Sequence, residues 1–160
     1  MTGEEFSQRV GDMTQTLYRI CRMQLSQRCD FEDAVQESLE KAWENRGRLR
    51  DARYMQTWLI RILINECHDI QRQRKHECIL EEPPEPKPPP PSPDGDIALH
   101  DALMTLDEKL RLPIVLYYIE NYRVNEIAGI LRIPQGTVKT RMARAREALK
   151  AYYGQEGWSL

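Results

Sequence analysis

The chain has 160 residues, of which 41% are hydrophobic and 30% are charged, and its formal net charge is -2. This composition is typical of a soluble globular protein and excludes a largely disordered one. No apolar run approaches the roughly 20 residues that a membrane span needs. The start, MTGEEFSQRV, carries acids where a secretory signal carries Lys or Arg. We therefore expect a cytoplasmic protein.

The cysteines predict thiols and no metal site. Four are present, without CxxC spacing: Cys21, Cys29, Cys67 and Cys78. Buried thiols are the favoured interpretation in a reducing compartment. Cys67-His68 and His76-x-Cys78 leave a metal site as the alternative, although zinc ligands are usually paired within turns. We also expect no cofactor and no enzyme, because the sequence shows no Gly-rich phosphate loop, no nucleophile elbow and no paired acids in a plausible cleft.

A proline-rich segment divides the sequence. Eight of the ten prolines lie between Pro83 and Pro93, and this density prevents both helix propagation and sheet pairing. We predict a tether at 81–96 between an N-terminal domain, 1–80, and a C-terminal domain, 97–160. In polyproline form the tether reaches at most about 50 Å, at about 3.1 Å per residue. The two domains can then act on separate sites.

The first 50 residues predict two amphipathic helices. Apolar residues of the first recur at steps of three and four: Phe6, Val10, Met13, Leu17, Cys21 and Leu25. The second is predicted to begin with Asp30 as its N-cap. Its apolar side comprises Phe31, Ala34, Val35, Leu39, Ala42 and Trp43. Most of its other positions are acidic, so it presents an acidic surface to solvent or to a partner.

A third helix is predicted from about Tyr54 to Lys75. Steps of about 100° per residue place Leu59, Ile62, Leu63, Cys67 and Ile70 on one side. The other side comprises Tyr54, Trp58, Arg61, Asn65, His68, Arg72 and Lys75. Aromatic rings stack on exposed bases and cations neutralise phosphates, so this outer face is typical of a protein that binds opened DNA. The spacing leaves Trp58 open between the core and that face.

The C-terminal part carries the most specific motif. A helix capped by Asp107 contains Pro113, which should kink it or delay its start. Two helices joined by a turn at 132–134 follow, in NEIAGILRIPQGTVKTRMARAREALK. In the second of these, Val138, Met142, Ala145 and Leu149 share an inward arc, and Thr137, Thr140, Arg141, Arg144 and Ala148 share another. This pattern, with a basic outer face, predicts a helix-turn-helix that reads the major groove.

Two stretches resemble one protein family. DFEDAVQESLEKAW followed by MQTWLIRILINECHDIQRQRK, within 30–75, resembles the second conserved region of sigma factors. IPQGTVKTRMARAREAL resembles their fourth region, and the short chain resembles the extracytoplasmic-function (ECF) group. The resemblance implies an all-α fold of two small helical domains, a region 2 bundle and a region 4 helix-turn-helix. It also implies a promoter-recognition subunit of bacterial RNA polymerase, whose partners are core polymerase, promoter DNA and a separate anti-sigma factor.

The resemblance assigns roles to three sets of residues. Contact with the clamp helices of the largest polymerase subunit falls to Asp33, Gln36, Glu37, Glu40 and Trp43. Capture of a flipped -10 base and strand opening fall to Leu49, Arg50, Asp51, Arg53, Tyr54, Trp58, Arg61, Asn65, Arg72 and Lys75. Recognition of the -35 duplex falls to Gln135, Thr137, Lys139, Thr140, Arg141 and Arg144. The flap of the second-largest subunit is a further expected contact. Whether Arg141 and Arg144 hold phosphates or grip guanines stays open.

Three positions depart from the family pattern. Arg123 stands where Ser or Thr usually caps the first helix of the motif, and Arg cannot cap. Arg132 stands where Gly often adopts the left-handed conformation of the turn, and Asp107 replaces a common Pro. Two other classes remain as alternatives: a dimeric repressor or response-regulator output module, and a protein-binding adaptor.

Overall fold

The chain consists of two helical units. A computed structural model describes residues 1–80 and 97–155, without the side chains of 77–80, 97 and 155. Contacts divide the chain into Met1–Pro90 and Pro91–Leu160. All regular elements in the described residues are helical, and none of these helices is long and apolar enough to cross a membrane. The predicted tether, 81–96, lies outside the described residues.

The described part of the N-terminal unit, residues 1–80, has three long helices and two short 3-10 turns. The helices are α1 (Gly3–Arg22), α2 (Arg28–Glu44) and α3 (Met55–Leu80), and the turns Arg46–Arg48 and Ala52–Tyr54 connect α2 to α3. Helix α1 begins with a capping box. Thr2 Oγ1 accepts from the Glu5 N–H at 3.2 Å, and Glu5 Oε2 accepts from the Thr2 N–H at 3.3 Å. These two bonds satisfy backbone donors that the helix itself leaves unpaired.

The core of this unit forms where α3 packs on both α1 and α2. Its largest fully buried side chains are Leu17, Ile20, Met55, Leu59, Ile60 and Leu63. The predicted inward sides are confirmed in part. Ile60 and Ile64 are buried although the predicted stripe of α3 omits them, whereas Ile62 is only half-buried. Contact with two helices makes the buried arc of α3 wider than one apolar stripe.

Asp30 is not the N-cap of α2, and that prediction was wrong. The helix begins at Arg28, after Gln27 in extended conformation, and Asp30 is buried inside the first turn. Its carboxylate accepts two hydrogen bonds from Arg74 of α3, from Nε at 3.0 Å and from Nη2 at 2.8 Å. A tertiary partner therefore occupies the carboxylate that would otherwise cap the helix.

Residues 97–155 of the C-terminal unit, which the structure describes, form four α-helices and one π-helical turn. They are α4 (Ile97–Met104), α5 (Glu108–Ile114), the π turn Val115–Ile119, α6 (Val124–Leu131) and α7 (Gln135–Gln155). Asp107 occupies the N-cap position of α5, but its side chain makes no capping bond. Helix α5 starts there without delay, and the π turn follows directly after Pro113 and Ile114. Because proline lacks an N–H, the regular hydrogen-bond ladder cannot continue through it.

Helices α6 and α7 form the predicted helix-turn-helix. Arg132 ends α6 in the left-handed region, at φ 56° and ψ 46°, and the Ile133 N–H donates to the Ala128 carbonyl at 3.1 Å. At the start of α6, Glu126 accepts from the Arg123 backbone N–H at 3.0 Å. The inward residues of α7 are buried as predicted: Val138, Met142, Ala145 and Leu149. The turn is thus fixed on the α6 side by a backbone hydrogen bond and on the α7 side by the packing of the buried residues of that helix.

Candidate nucleic-acid and partner interfaces

The outer face of α7 carries cations that no acid of the described residues neutralises. Gln135, Lys139, Thr140 and Arg144 are exposed, and Thr137 and Arg141 are half-buried. Within the described residues, the side chains of Lys139, Arg141 and Arg144 make no ion pair or hydrogen bond. The Thr140 hydroxyl donates to the Gly136 carbonyl at 2.9 Å, so its oxygen can still accept from a ligand. This face matches the chemistry of a duplex phosphate backbone.

The outer face of α3 is aromatic at its start and polar along its length. Tyr54 lies in the preceding 3-10 turn and is 61% exposed. Asn65, Arg72 and Lys75 are also exposed, and Arg72 forms an ion pair with Asp69 one turn earlier. Trp58 and Arg61 are half-buried. Trp58 therefore reaches both the edge of the core and the surface.

The segment Leu49–Arg53 is a connecting segment with an internal ion pair. Asp51 Oδ1 accepts from the Arg53 backbone N–H at 3.0 Å, which caps the 3-10 turn Ala52–Tyr54. Asp51 Oδ2 accepts from Arg53 Nε at 3.0 Å and from Nη2 at 2.8 Å. These side-chain hydrogen bonds lower the pKa of the Asp51 carboxyl below its ordinary value. The two residues assigned to base capture thus also shape the turn.

Helix α2 presents the acidic surface that its sequence predicts. Asp33, Gln36, Glu37, Glu40 and Trp43 are all exposed. Trp43 is 41% exposed and lines an open groove with Tyr18 of α1 and Leu39. Acids at Glu32 and Glu40 lie along the same groove. A partner that combines an apolar residue with flanking cations complements this surface.

The Trp43 ring contacts one residue of α1 and one residue of the turn that follows α2. Its centroid lies 5.2 Å from that of Phe6, with the planes at 68°, and the Arg46 guanidinium carbon lies 3.6 Å from its centroid. A Cβ at Gly3 would approach the far edge of the ring to 3.3 Å. Sequence reasoning placed Trp43 on both the apolar side of α2 and the partner surface. The structure shows a ring that packs on α1 and remains partly exposed.

The thiol prediction is confirmed for two cysteines. Cys21 and Cys67 are buried between α1 and α3, with their sulfurs 3.9 Å apart. Cys29 is exposed, so burial was wrong for that residue, and the side chain of Cys78 lies outside the description. The described residues contain no group of three or more His, Cys, Asp or Glu side chains that could hold a metal ion.

Comparison with known proteins decides the family. The descriptions "Sigma-70 region 2" and "Sigma-70, region 4" match residues 10–77 and 96–149, respectively. The ECF RNA polymerase sigma factor SigM of Mycobacterium tuberculosis is 31% identical over 140 residues, which cover 86% of this chain and 71% of SigM. This chain belongs to the ECF sigma factors. Another relative, SigW of Bacillus subtilis, is 30% identical over 151 residues, which cover 84% of this chain and 81% of SigW.

A solved structure supports the same assignment. The sigma factor RpoE of Bartonella quintana, in complex with the anti-sigma factor NepR, is similar with a TM-score of 0.83 and 25% identity. The match covers 92% of this ECF sigma factor and 96% of RpoE. The predicted family and the predicted all-α fold are confirmed. As a sigma factor, the protein is a regulatory transcription initiation factor that directs RNA polymerase to promoters.

Proposed function

We propose that this ECF sigma factor divides promoter recognition between its two units. Helix α7 anchors the -35 duplex, whereas Leu49–Arg53 and the outer face of α3 capture bases of the -10 element and open the strands. Helix α2 binds the clamp helices of core polymerase, and the C-terminal unit contacts the flap of the second-largest subunit. The observation that carries the proposal is the set of cations on α7 that make no internal ion pair or hydrogen bond in the described residues: Lys139, Arg141 and Arg144.

The assignment of α7 rests on burial and charge together. Val138 and Met142 fix the inward face of the helix, so Arg141 and Arg144 cannot rotate away from the outer face without exposing core. A helix with a polar and basic outer face fits the width of the major groove. Each phosphate contact releases bound counterions, so we expect the affinity for the -35 duplex to fall with increasing salt concentration.

The assignment of the N-terminal unit rests on exposed rings and short connecting segments. Tyr54 is exposed directly after the Leu49–Arg53 segment and directly before α3. A base taken out of its stack costs a few kcal/mol, which a binding pocket and an aromatic surface must offset. Arg61 and Lys75 make no ion pair in the described residues, which leaves them available to phosphates of the opened strand.

The proposal also names protein partners. The acidic surface of α2 is complementary to basic residues on a partner helix. We propose that a cognate anti-sigma factor binds the same chain, because RpoE is found in complex with NepR. The polymerase supplies the chemistry of RNA synthesis, so the proposed role requires no catalytic group, metal or cofactor in this chain. We propose that the chain acts in the cytoplasm.

Transcription with core polymerase and a promoter library tests the proposal. We expect transcript starts at defined sites. Arg141→Ala and Arg144→Ala should each reduce the slope of log affinity against log salt by about one where the residue holds a phosphate. Lys109→Ala removes an exposed charge from the same unit and serves as the control. Palindromic binding without polymerase would instead identify a dimeric repressor, and absence of salt-dependent DNA affinity would identify an adaptor.

Competition for core polymerase tests the role of α2. We expect Glu37→Lys and Glu40→Lys to weaken binding to core, because they place like charges opposite a basic partner. Glu44→Lys makes the same change at an exposed position of α2 that is outside the set assigned to core contact, and we expect a smaller effect. Equal effects at all three positions would indicate a general charge effect and contradict the assigned contact.

A further inference from the structure

The segment Leu49–Arg53, which the proposed function assigns to base capture, is attached to α2 at its N-terminal end, here called its entry. Arg46 begins the 3-10 turn Arg46–Arg48, which leads directly into Leu49. Its guanidinium stacks on the Trp43 ring at 3.6 Å, and its Nη1 donates to the Trp43 carbonyl at 2.7 Å. Both contacts are made to the last turn of α2. The entry of the segment is therefore fixed to a helix end by one side chain.

The exit of the segment is attached to a different helix. Arg9 of α1 donates from Nη1 to the Ala52 carbonyl at 3.0 Å, across 43 positions of sequence. Ala52 begins the second 3-10 turn, directly after Asp51. Gly3, Phe6 and Arg9 follow one another at three-residue steps and so lie on neighbouring positions of one side of α1. The same stretch of α1 thus contacts Trp43, at the entry, and Ala52, at the exit.

We propose that Arg9 and Arg46 are positioning residues that hold the base-capture segment Leu49–Arg53 in its binding conformation before DNA arrives. The inference rests on the proposed function, because it explains how that segment is prepared. The Asp51–Arg53 pair shapes the turn from within, and the two arginines fix its ends. Arg50 between them is exposed and makes no hydrogen bond or ion pair within the described residues, so it remains available to DNA. A segment ordered in advance loses less conformational freedom on binding, which increases affinity.

Hydrogen exchange in the full chain measures this ordering directly. We expect Arg9→Ala and Arg46→Ala to accelerate exchange of the amides of residues 49–54, whereas Arg9→Lys, which keeps a donor for the Ala52 carbonyl, should restore slow exchange. The matched control is Arg48→Ala. Arg48 is exposed in the same turn, carries the same charge and makes no side-chain contact in the described residues. Exchange in this control should equal that of the wild type.

Promoter opening with core polymerase gives the functional result. At equal polymerase occupancy, we expect Arg9→Ala and Arg46→Ala each to reduce strand opening about three- to tenfold. This factor corresponds to the conformational entropy of about one additional side chain that must be ordered when DNA binds. Strand opening is measured by the reactivity of unpaired thymines with permanganate. Should Arg46→Ala lose helix content, Arg46→Gln takes its place. Its amide can still donate to the Trp43 carbonyl, so it removes the stack alone, and we expect a reduction in opening smaller than that of Arg9→Ala but larger than that of Arg48→Ala.

Two results would overturn the inference. One is exchange at residues 49–54 that is unchanged in both alanine variants. The other is a loss of strand opening in Arg9→Ala and Arg46→Ala that is no larger than the loss in Arg48→Ala. The removal of one positive charge would then account for the loss. Failure of the proposed function is distinguishable from both, because the wild-type chain would then open no promoter in the library.

Discussion

Replacement of Arg132 by glycine should stabilise the C-terminal unit. Arg132 ends α6 with φ 56° and ψ 46°, in the left-handed region where a Cβ is crowded by the backbone. Its side chain is exposed and makes no contact within the described residues. The bonds that close the turn are made by backbone atoms, including the Ile133 N–H to the Ala128 carbonyl at 3.1 Å. Glycine keeps these bonds and removes the crowding.

The size of the effect follows from two opposing contributions. The left-handed conformation costs a residue with a side chain about 1–2 kcal/mol, and glycine avoids this cost. Glycine also gains conformational freedom in the unfolded chain, which opposes folding by about 0.4–1 kcal/mol. We therefore expect a net gain of about 0.5–1 kcal/mol in the free energy of unfolding, or a two- to fivefold change in the ratio of folded to unfolded unit.

Native-state hydrogen exchange is the appropriate assay, because the two units can unfold separately. The amides of Ile127 and Val138 are suitable reporters, since both residues are buried in α6 and α7. Asn121→Gly is the first control: its φ is 62°, and Asn tolerates this region better, so its gain should be smaller. Arg144→Gly, inside a helix, should lose about 1 kcal/mol. Unchanged or faster exchange in Arg132→Gly would refute the reasoning.

Three further expectations concern ion pairing, burial and coupling. Glu66 is nearly buried and forms an ion pair with the half-exposed Lys41. Lys41→Met leaves the Glu66 carboxylate without its partner and should lower the free energy of unfolding by about 2 kcal/mol, whereas Glu66→Gln removes the buried charge and should lower it by less than about 1 kcal/mol, as measured by urea unfolding. Burial raises the pKa of Tyr122 to about 12 in the folded protein, above the value of about 10 of an exposed tyrosine. The free energy of unfolding should therefore decline as the pH rises from about 10 to 12, and tyrosinate absorbance monitors the ionisation. Because Arg46 stacks on Trp43, Trp43→Ala and Arg46→Ala should be less than additive in stability, by about 0.5–1 kcal/mol; additivity would argue against the stack.

Periodicity predicted the elements that bury a single face. The inward arc of α7 was correct because that helix presents one stripe to its neighbours, including Val138 and Met142. The arc of α3 was too narrow, because α3 packs on two helices and buries Ile60 and Ile64 as well. The boundary of α2 was displaced because Asp30, a favourable N-cap by type, pairs with a residue of α3 instead. Local pattern cannot reveal such a partner.

The charge of the candidate surfaces was predicted from the sequence, whereas the contacts that support these surfaces were not. The pattern placed acids on α2 and cations on α7, and all of the named acids are exposed. Nothing in the sequence links Arg9 to Ala52, because a single arginine on a polar helix face is compatible with many partners. Arg46 follows Trp43 by three residues, so the spacing alone is compatible with their stack. The stack can be predicted only if α2 is known to end at Glu44, between the two residues.

The surface assigned to polymerase and the segment assigned to promoter opening meet at Trp43. One part of its ring lines the groove, and its other contacts are with Phe6 and Arg46. A partner that binds the groove therefore touches the same ring that fixes the entry of the segment. Such a partner can change the segment only to the extent that it binds one arrangement of the ring more tightly than another. Two contacts of the ring lead towards the segment: the stack on Arg46 at the entry, and the packing on Phe6, a buried residue of the stretch of α1 whose Arg9 binds Ala52 at the exit, so any coupling between core binding and base capture also passes through the packing of α1.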